Sequence, residues 1–145
     1  IRPRDWSSDV CSSDLKPFGV YHGVSIGVSG RLKQPRTAEE LVAAILPDNS
    51  PPRTLIAAGP ERINTLAIVS GGAPFEALQA LGKGIDAFIT GEPSHSIYHQ
   101  VVEGGLTFIA AGHYATETWG LRAVEAKLKA ETGLQTLFID LPTGL

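Results

Sequence analysis

The chain has 145 residues, enough for one domain with a real core, and 12 basic against 15 acidic residues give a formal net charge of −3. No basic patch marks it as a nucleic-acid binder, and no apolar run approaches the roughly 20 residues that cross a bilayer. Hydrophobic residues make up 43% of the chain and charged residues 19%, which is ordinary for a globular domain. We therefore expect a cytoplasmic protein with neither nucleic acid nor membrane as a partner.

Residues 1–15, "IRPRDWSSDVCSSDL", differ from the rest of the sequence. They show neither helical nor strand periodicity, and they resemble a sequencing-adapter sequence translated in frame. We predict that residues 1–15 are an artefact and that residues 16–145 are the C-terminal portion of a domain whose N-terminal half is missing. The alternative is a disordered native tail. The sole cysteine, Cys11, falls in this segment, so neither a disulfide framework nor a cysteine metal site is expected.

The rest of the chain gives regular signals. Apolar residues alternate from Phe18 to Val28, which predicts a strand whose glycines mark bulges or close backbone approach. Thr37 and Glu40 match the capping box at the start of a helix. Strands are then predicted over 54–59, 65–72, 85–92, 106–113 and 134–141, and helices over 74–84, 94–105 and 115–133. Gly133 is the expected end of the last helix. This alternation predicts an α/β fold with β-α-β layers and a largely parallel sheet, although the last strand could pair either way.

Three predicted strands end in turns of small residues that lead into helices. The turns are Ser70-Gly71-Gly72, Thr90-Gly91-Glu92, and Gly112-His113 continuing to Glu117. In a parallel sheet all three turns lie at the carboxyl edge, where α/β proteins bind their ligands. The sequence therefore predicts a functional site at this edge.

His113 and Glu117 are the candidate metal ligands at this edge. Residues four apart on a helix have Cβ atoms roughly 5–6 Å apart, so both side chains can reach one ion. An imidazole and a carboxylate suit Zn²⁺, Fe²⁺, Mn²⁺ or Co²⁺ better than Ca²⁺. The alternative is that His113 caps the helix and Glu117 complements its dipole. A catalytic zinc has about three protein ligands plus water, and Glu92 is the candidate third.

Other polar residues near this edge are weaker candidates. Glu92 and His99 are candidates for acid–base catalysis or for supporting the metal ligands. His95 and His99 are also four residues apart, but a polar or half-buried helix face is the favoured interpretation of that pair. The candidates for lining a substrate pocket are Ser70, Thr90 and Tyr114.

Three sequence elements, "SGG" (70–72), "DAFITGE" (86–92) and "GHYATE" (112–117), carry a specific resemblance. In this order and spacing they are similar to the C-terminal half of the Nif-three-like dinuclear metal centre family, also labelled GTP cyclohydrolase I type 2 homologs. The resemblance runs from about Thr65 to Thr143 and is looser from Phe18 to Leu46. It implies an α/β fold with two related halves and a homohexameric ring whose metal sites face an internal cavity.

The resemblance also implies a ligand set and a role. Each intact subunit would hold two divalent ions, and the family's Gly-His-x-x-x-Glu ligands fall on His113 and Glu117. A His-His pair and an aspartate would come from the N-terminal half, so the present chain is expected to bind metal weakly and to be inactive by itself. The implied role is metal-dependent hydrolysis of a small, nucleotide-like substrate. A non-catalytic metal-binding scaffold or regulatory hexamer is the alternative.

Overall fold

The structure, a computed structural model, describes residues 15–46 and 50–143. Apart from Leu15, the segment predicted to be an artefact lies outside the described residues, and its origin stays a prediction. The first two strands, β1 (Lys16–Tyr21) and β2 (Val24–Arg36), pair antiparallel as a hairpin. Its turn residues, His22 and Gly23, have φ values of 47° and 82°, as in the tight turns that match strand twist. The sequence predicts one strand from Phe18 to Val28, because the apolar alternation continues through this turn.

Glycine in the hairpin permits the close approach that the sequence predicts. A Cβ added to Gly27 would lie 2.2 Å from the backbone oxygen of Ile68 and 2.6 Å from Cγ2 of Val69. Only glycine therefore lets β2 pack at this distance from the end of the neighbouring strand.

Helix α1 (Ala38–Ile45) begins at the predicted capping box. The Thr37 hydroxyl accepts a hydrogen bond from the Glu40 N–H at 3.3 Å, and the Glu40 carboxylate accepts one from the Thr37 N–H at 2.9 Å. Leu41 and Ile45 on this helix are buried against the sheet. The prediction of a capped helix is confirmed.

The remaining elements follow in chain order. They are β3 (Thr54–Ala57), β4 (Ile63–Ile68), a 3-10 helix (Phe75–Ala80), β5 (Ala87–Thr90), a 3-10 turn (His95–Ile97), α2 (Tyr98–Glu103), β6 (Thr107–Ala110) and α3 (His113–Thr132). Gly133 ends α3 in the left-handed conformation at φ 70°, as predicted. The helix predicted over 74–84 is a shorter 3-10 helix, and the one predicted over 94–105 divides into a 3-10 turn and α2.

The six strands form one sheet in the order β1-β2-β4-β5-β6-β3. The pairs β4–β5 and β5–β6 are parallel, whereas β1–β2, β2–β4 and β3–β6 are antiparallel. The α/β class is confirmed, but the prediction of a largely parallel sheet is wrong for the described chain. Apolar alternation shows that a segment is a strand but carries no information on its direction, and the β1–β2 hairpin extends the sheet antiparallel.

The segment 134–141, predicted as a final strand, has no strand pairing in the structure. Its side chains contact α3 instead. The Arg122 guanidinium lies 4.1 Å from the ring centre of Phe138, and Thr136 donates a hydrogen bond to Glu125. Side-chain contacts with a helix replace the backbone ladder that a strand requires.

The three central strands are covered on both faces. On one face, α1 packs over a cluster that includes Leu66, Ile89 and Ile109. On the other, the 3-10 helix and α2 pack over Phe88 and Phe108, whose rings stack at 6.1 Å between centres. Burial of each large apolar side chain contributes about 1.5–3 kcal/mol, so this core fixes the ends of β4, β5 and β6 firmly. Within the described ranges, none of the helices has both the length and the apolar character needed to cross a membrane.

Candidate metal centre

The three predicted turns meet at the carboxyl edge of the parallel strands. The N–H of Gly91 donates to the backbone oxygen of Gly71 at 2.8 Å, and the N–H of Gly112 donates to that of Gly91 at 2.9 Å. Backbone hydrogen bonds therefore join the turn after β4 to the turn after β5, and that turn to the start of α3. The convergence that strand order suggests is present, because the three strands involved are parallel neighbours.

Glycine is required where these turns pack. A Cβ on Gly91 would lie 2.7 Å from the backbone oxygen of Gly71 and 2.7 Å from Cα of His113. Gly71 itself has a φ of 69°, in the left-handed region that favours glycine. The turns are thus closely packed against the first residue of α3.

Two buried threonine hydroxyls fix the Gly71 turn. The Thr90 hydroxyl donates to the backbone oxygen of Gly71 at 3.0 Å and accepts from the N–H of Ala73 at 3.2 Å. The Thr116 hydroxyl accepts from the N–H of Gly71 at 3.0 Å, and it has the carbonyl oxygens of Gly112 and His113 as acceptors. Thr90 is therefore used inside the fold and does not line an open pocket. Thr116 was not expected from the sequence, where it is only one threonine in a polar first turn.

His113, the first residue of α3, lies between two carboxylates. Its Nδ1 hydrogen donates to Oε1 of Glu92, and its Nε2 lies 3.3 Å from Oε1 of Glu117. No side chain caps the helix at Gly112, so His113 does not act as the cap that the alternative interpretation assigns to it. The side chains of His113, Glu92 and Glu117 are 38%, 51% and 56% exposed, which leaves the group open to a solute.

The carboxylates change the protonation of the ring. The hydrogen bond to Glu92 raises the pKa of His113 above its ordinary value of 6.5 against a smaller opposing effect of desolvation, and the charge of Glu117 raises it further. The imidazole therefore carries its proton to a higher pH than a free histidine. Any cation that binds Nε2 must displace that proton.

The spacing of donor atoms fits a divalent ion on the Nε2 side of the His113 ring, next to Glu117. Two ligand atoms that each lie about 2.0–2.2 Å from a tetrahedral ion are roughly 3.3–3.6 Å apart, and the separation of His113 Nε2 from Glu117 Oε1 is 3.3 Å. A Cβ on Gly71 would lie 2.8 Å from that oxygen and 3.3 Å from that nitrogen. Glycine at this position thus keeps the space beside both donor atoms clear.

Glu92 does not complete a three-ligand set. It binds Nδ1, on the far side of the imidazole from Glu117, where a carboxylate fixes the tautomer and orientation of a metal-binding histidine. In the described part of the chain, no group of three or more histidine, cysteine, aspartate or glutamate side chains is arranged to hold a metal ion.

The other predicted site residues are placed apart from His113 or are engaged elsewhere. Ser70 is exposed beside Gly71 at the same edge. The Tyr114 hydroxyl donates to Asp140 at 2.5 Å and accepts from the N–H of Leu141 at 2.9 Å. Both of its hydrogen bonds are therefore made to the segment that follows α3. The ring of His99 packs edge-on against Tyr98, with 5.3 Å between ring centres. The structure brings together Glu92, His113 and Glu117 but gives His99 no contact with them.

Comparison with known proteins gives a consistent family signal. The sequence profile of the Duf34/NIF3 (NGG1p interacting factor 3) family matches residues 7–143. A GTP cyclohydrolase 1 type 2 homolog of Pyrococcus horikoshii is 41% identical over 132 residues, covering 90% of this chain and 52% of the relative. Its counterpart in Halobacterium salinarum is 40% identical over 132 residues, covering 89% and 52%. The chain thus spans about half the length of the curated relatives that it matches.

A solved structure supports the fold independently. The protein TTHA1606 of Thermus thermophilus superposes with a TM-score of 0.70 at 33% sequence identity, covering 96% of this chain and 54% of that protein. The arrangement of strands and helices described above is therefore similar to half of a known structure.

Proposed function

This chain belongs to the Duf34/NIF3 family, and on that premise we propose that it binds a divalent metal ion through His113 and Glu117. The observation that carries the proposal is the 3.3 Å separation of Nε2 and Oε1 beside Gly71. Both atoms are donors that Zn²⁺, Fe²⁺, Mn²⁺ and Co²⁺ accept in proteins. Their place at the carboxyl edge of parallel strands is where α/β folds bind ligands.

Glu92 supports this role without being a ligand. Its hydrogen bond keeps the proton of a neutral imidazole on Nδ1, so the lone pair of Nε2 is directed towards Glu117. The backbone hydrogen bonds between Gly71 and Gly91 and between Gly91 and Gly112 hold together the turns from which Glu92 and His113 project. This chain therefore supplies two donor atoms, Nε2 of His113 and Oε1 of Glu117, and Glu92 orients the first of them.

We further propose that the whole protein hydrolyses a nucleotide-like substrate with two such ions in each subunit of a hexameric ring. The names of the two relatives, GTP cyclohydrolase 1 type 2 homologs, support this class of substrate. A bound divalent ion lowers the pKa of water and polarises an oxygen of the substrate. This half of the protein would contribute His113 and Glu117 as ligands, and the remaining ligands would come from the half of the relatives that this chain does not span.

Metal binding is tested by titrating the chain with Co²⁺ and following its visible absorption. We expect Glu117→Gln and His113→Ala to weaken binding by about tenfold or more, because each removes a donor atom. His22→Asn is the matched control, since it removes an exposed histidine from the hairpin turn and asparagine tolerates a positive φ. Equal Co²⁺ affinity in the wild type and Glu117→Gln, with both folded by circular dichroism, would contradict the proposal.

Hydrolysis is tested separately on the metal-loaded protein at the full length of its relatives. GTP and a panel of other nucleotides are incubated with it, and the products are separated by chromatography. Turnover that disappears in Glu117→Gln supports the hydrolase. A metal-loaded hexamer that leaves every nucleotide unchanged would be a non-catalytic scaffold.

A further inference from the structure

A cavity of about 740 Å³ opens at the end of the sheet opposite to the candidate metal centre. Its lining includes Thr65, near the beginning of β4, and Ile85, just ahead of β5. Glu92 follows the other end of β5, and His113 and Glu117 follow the same end of its parallel neighbour β6. The cavity is thus a separate feature, and its chemistry does not depend on His113 or Glu117.

Three positively charged side chains from three parts of the chain line this cavity. They are Lys16 on β1, Arg31 on β2, and Lys83 in the loop before β5. No acidic residue is among the lining residues that the structure describes, and none of the three cations forms an ion pair with a described residue. Because the chain as a whole has a net charge of −3, this excess of positive charge is a local property of the cavity.

The strand register places these groups on one face of the sheet. Lys16 is directly opposite Ser29, and residues paired in this way project from the same face. Arg31 is two residues beyond Ser29 and therefore shares that face. It is in turn opposite Thr65 on β4. Two of the cations thus stand on adjacent, hydrogen-bonded strands.

The loop that carries Lys83 is tied to the same strands. The Thr65 hydroxyl donates to the backbone oxygen of Gly84 at 2.8 Å and accepts from the N–H of Asp86 at 2.9 Å. The Asp86 carboxylate accepts from the N–H groups of Asn64 and Thr65, at 2.8 and 3.0 Å, so backbone donors already engage it. The loop is therefore held in place, and the Asp86 carboxylate that helps to hold it is not among the residues that line the cavity.

We propose that this cavity binds a small organic phosphate. Lysine and arginine are the side chains that bind phosphate through charge-assisted hydrogen bonds, and the Ser29 hydroxyl offers a further donor. Pro17 and Ile85 supply an apolar wall for the organic part. The volume lies within the roughly 300–1,000 Å³ of small-molecule sites. A concave site of this size suits a compact ligand better than an extended polymer.

The test is isothermal titration of the metal-free chain, in the presence of EDTA, with inorganic phosphate and with adenosine monophosphate. Removing metal ensures that no cation at His113 bridges protein and phosphate. Both probes should bind, and the nucleotide should bind more tightly because its organic part meets the apolar wall. Arg31→Ala and Lys83→Ala should each weaken binding by about tenfold or more, and Arg31→Lys should retain most of it. Lys127→Ala is the matched control, since it removes an exposed lysine of α3 whose described partner is Glu131 at 3.8 Å.

Three results would overturn the proposal. The first is that neither probe binds to the folded wild-type chain at millimolar concentration. The second is that Lys127→Ala weakens binding as much as Arg31→Ala, which would show a non-specific effect of charge. The third is a single-stranded oligonucleotide that binds more tightly than the mononucleotide and loses affinity in the cavity variants, in which case the ligand would be a nucleic-acid strand. Circular dichroism of each variant separates these results from a failure to fold.

Discussion

The Glu92 carboxylate accepts a hydrogen bond from Nδ1 of His113, across the junction between the turn after β5 and the start of α3. This contact leaves Nε2 facing Glu117 on the next turn of the helix. Glu92 therefore orients the imidazole, and Glu117 lies beside Nε2, the ring nitrogen that Glu92 does not contact. Substitution of the two glutamates should therefore have different effects.

Glu92→Gln should weaken Co²⁺ binding by up to about tenfold, and by less than His113→Ala or Glu117→Gln does. Glutamine still accepts a hydrogen bond from Nδ1 but removes the negative charge that makes the imidazole a better donor to metal. The measurement is the Co²⁺ titration, with Glu61→Gln, an exposed residue in the turn before β4, as the control for a lost charge. A loss as large as that of His113→Ala would mean that Glu92 is itself a ligand.

The metal-free protein should show a His113 pKa above 6.5, since the hydrogen bond to Glu92 and the charge of Glu117 both favour the imidazolium. The folded pKa is raised above the unfolded one, so this ion pairing stabilises the fold fully below the unfolded pKa. The stabilisation is lost as the pH rises through the folded pKa. An NMR titration of the imidazole resonances measures the midpoint, which should move down in Glu92→Gln. A wild-type midpoint at or below 6.5 would contradict the contact.

Gly91→Ala should destabilise the protein by about 1–3 kcal/mol or more, because the added methyl would lie 2.7 Å from two backbone atoms of neighbouring turns. Gly120→Ala is the matched control, since the space around Gly120 on α3 is open and alanine is the better helix former. That substitution should stabilise the protein by up to about 1 kcal/mol. Denaturant unfolding followed by circular dichroism measures both. Equal free energies of unfolding in the two variants would show that the turns are not closely packed.

Local sequence signals predict the structure correctly where it depends on residues that are neighbours in the chain. The capping box at Thr37 and Glu40 and the left-handed Gly133 each involve a few consecutive residues, and both are present. The meeting of three turns at one edge also follows from the sequence, since β4, β5 and β6 are the parallel part of the sheet. The direction of β2 and the fate of 134–141 do not follow, because alternation gives no direction and no pairing partner.

The candidate site likewise has one part that the sequence predicts and another part that it does not. The spacing of His113 and Glu117 suffices to place both on one helix face. The position of Glu92 on Nδ1, and not beside Glu117, depends on how the turn after β5 packs against α3, which no sequence spacing encodes. The use of the Thr90 hydroxyl inside the fold likewise depends on the neighbouring turn at Gly71.

Thr116→Val tests whether the Gly71 turn positions the metal ligands. Valine keeps the shape of the buried side chain but cannot accept from the N–H of Gly71, which is then left without this partner. The free energy of unfolding should fall by about 1–3 kcal/mol, and Co²⁺ affinity should fall with it because Gly71 packs beside Nε2 and Oε1. Thr118→Val is the control, since among the described residues the Thr118 hydroxyl donates within its own helix, to Ala115 at 3.1 Å. It should change neither quantity appreciably. If Thr116→Val lost stability but bound Co²⁺ as tightly as the wild type, the turn would serve the fold and not the metal centre.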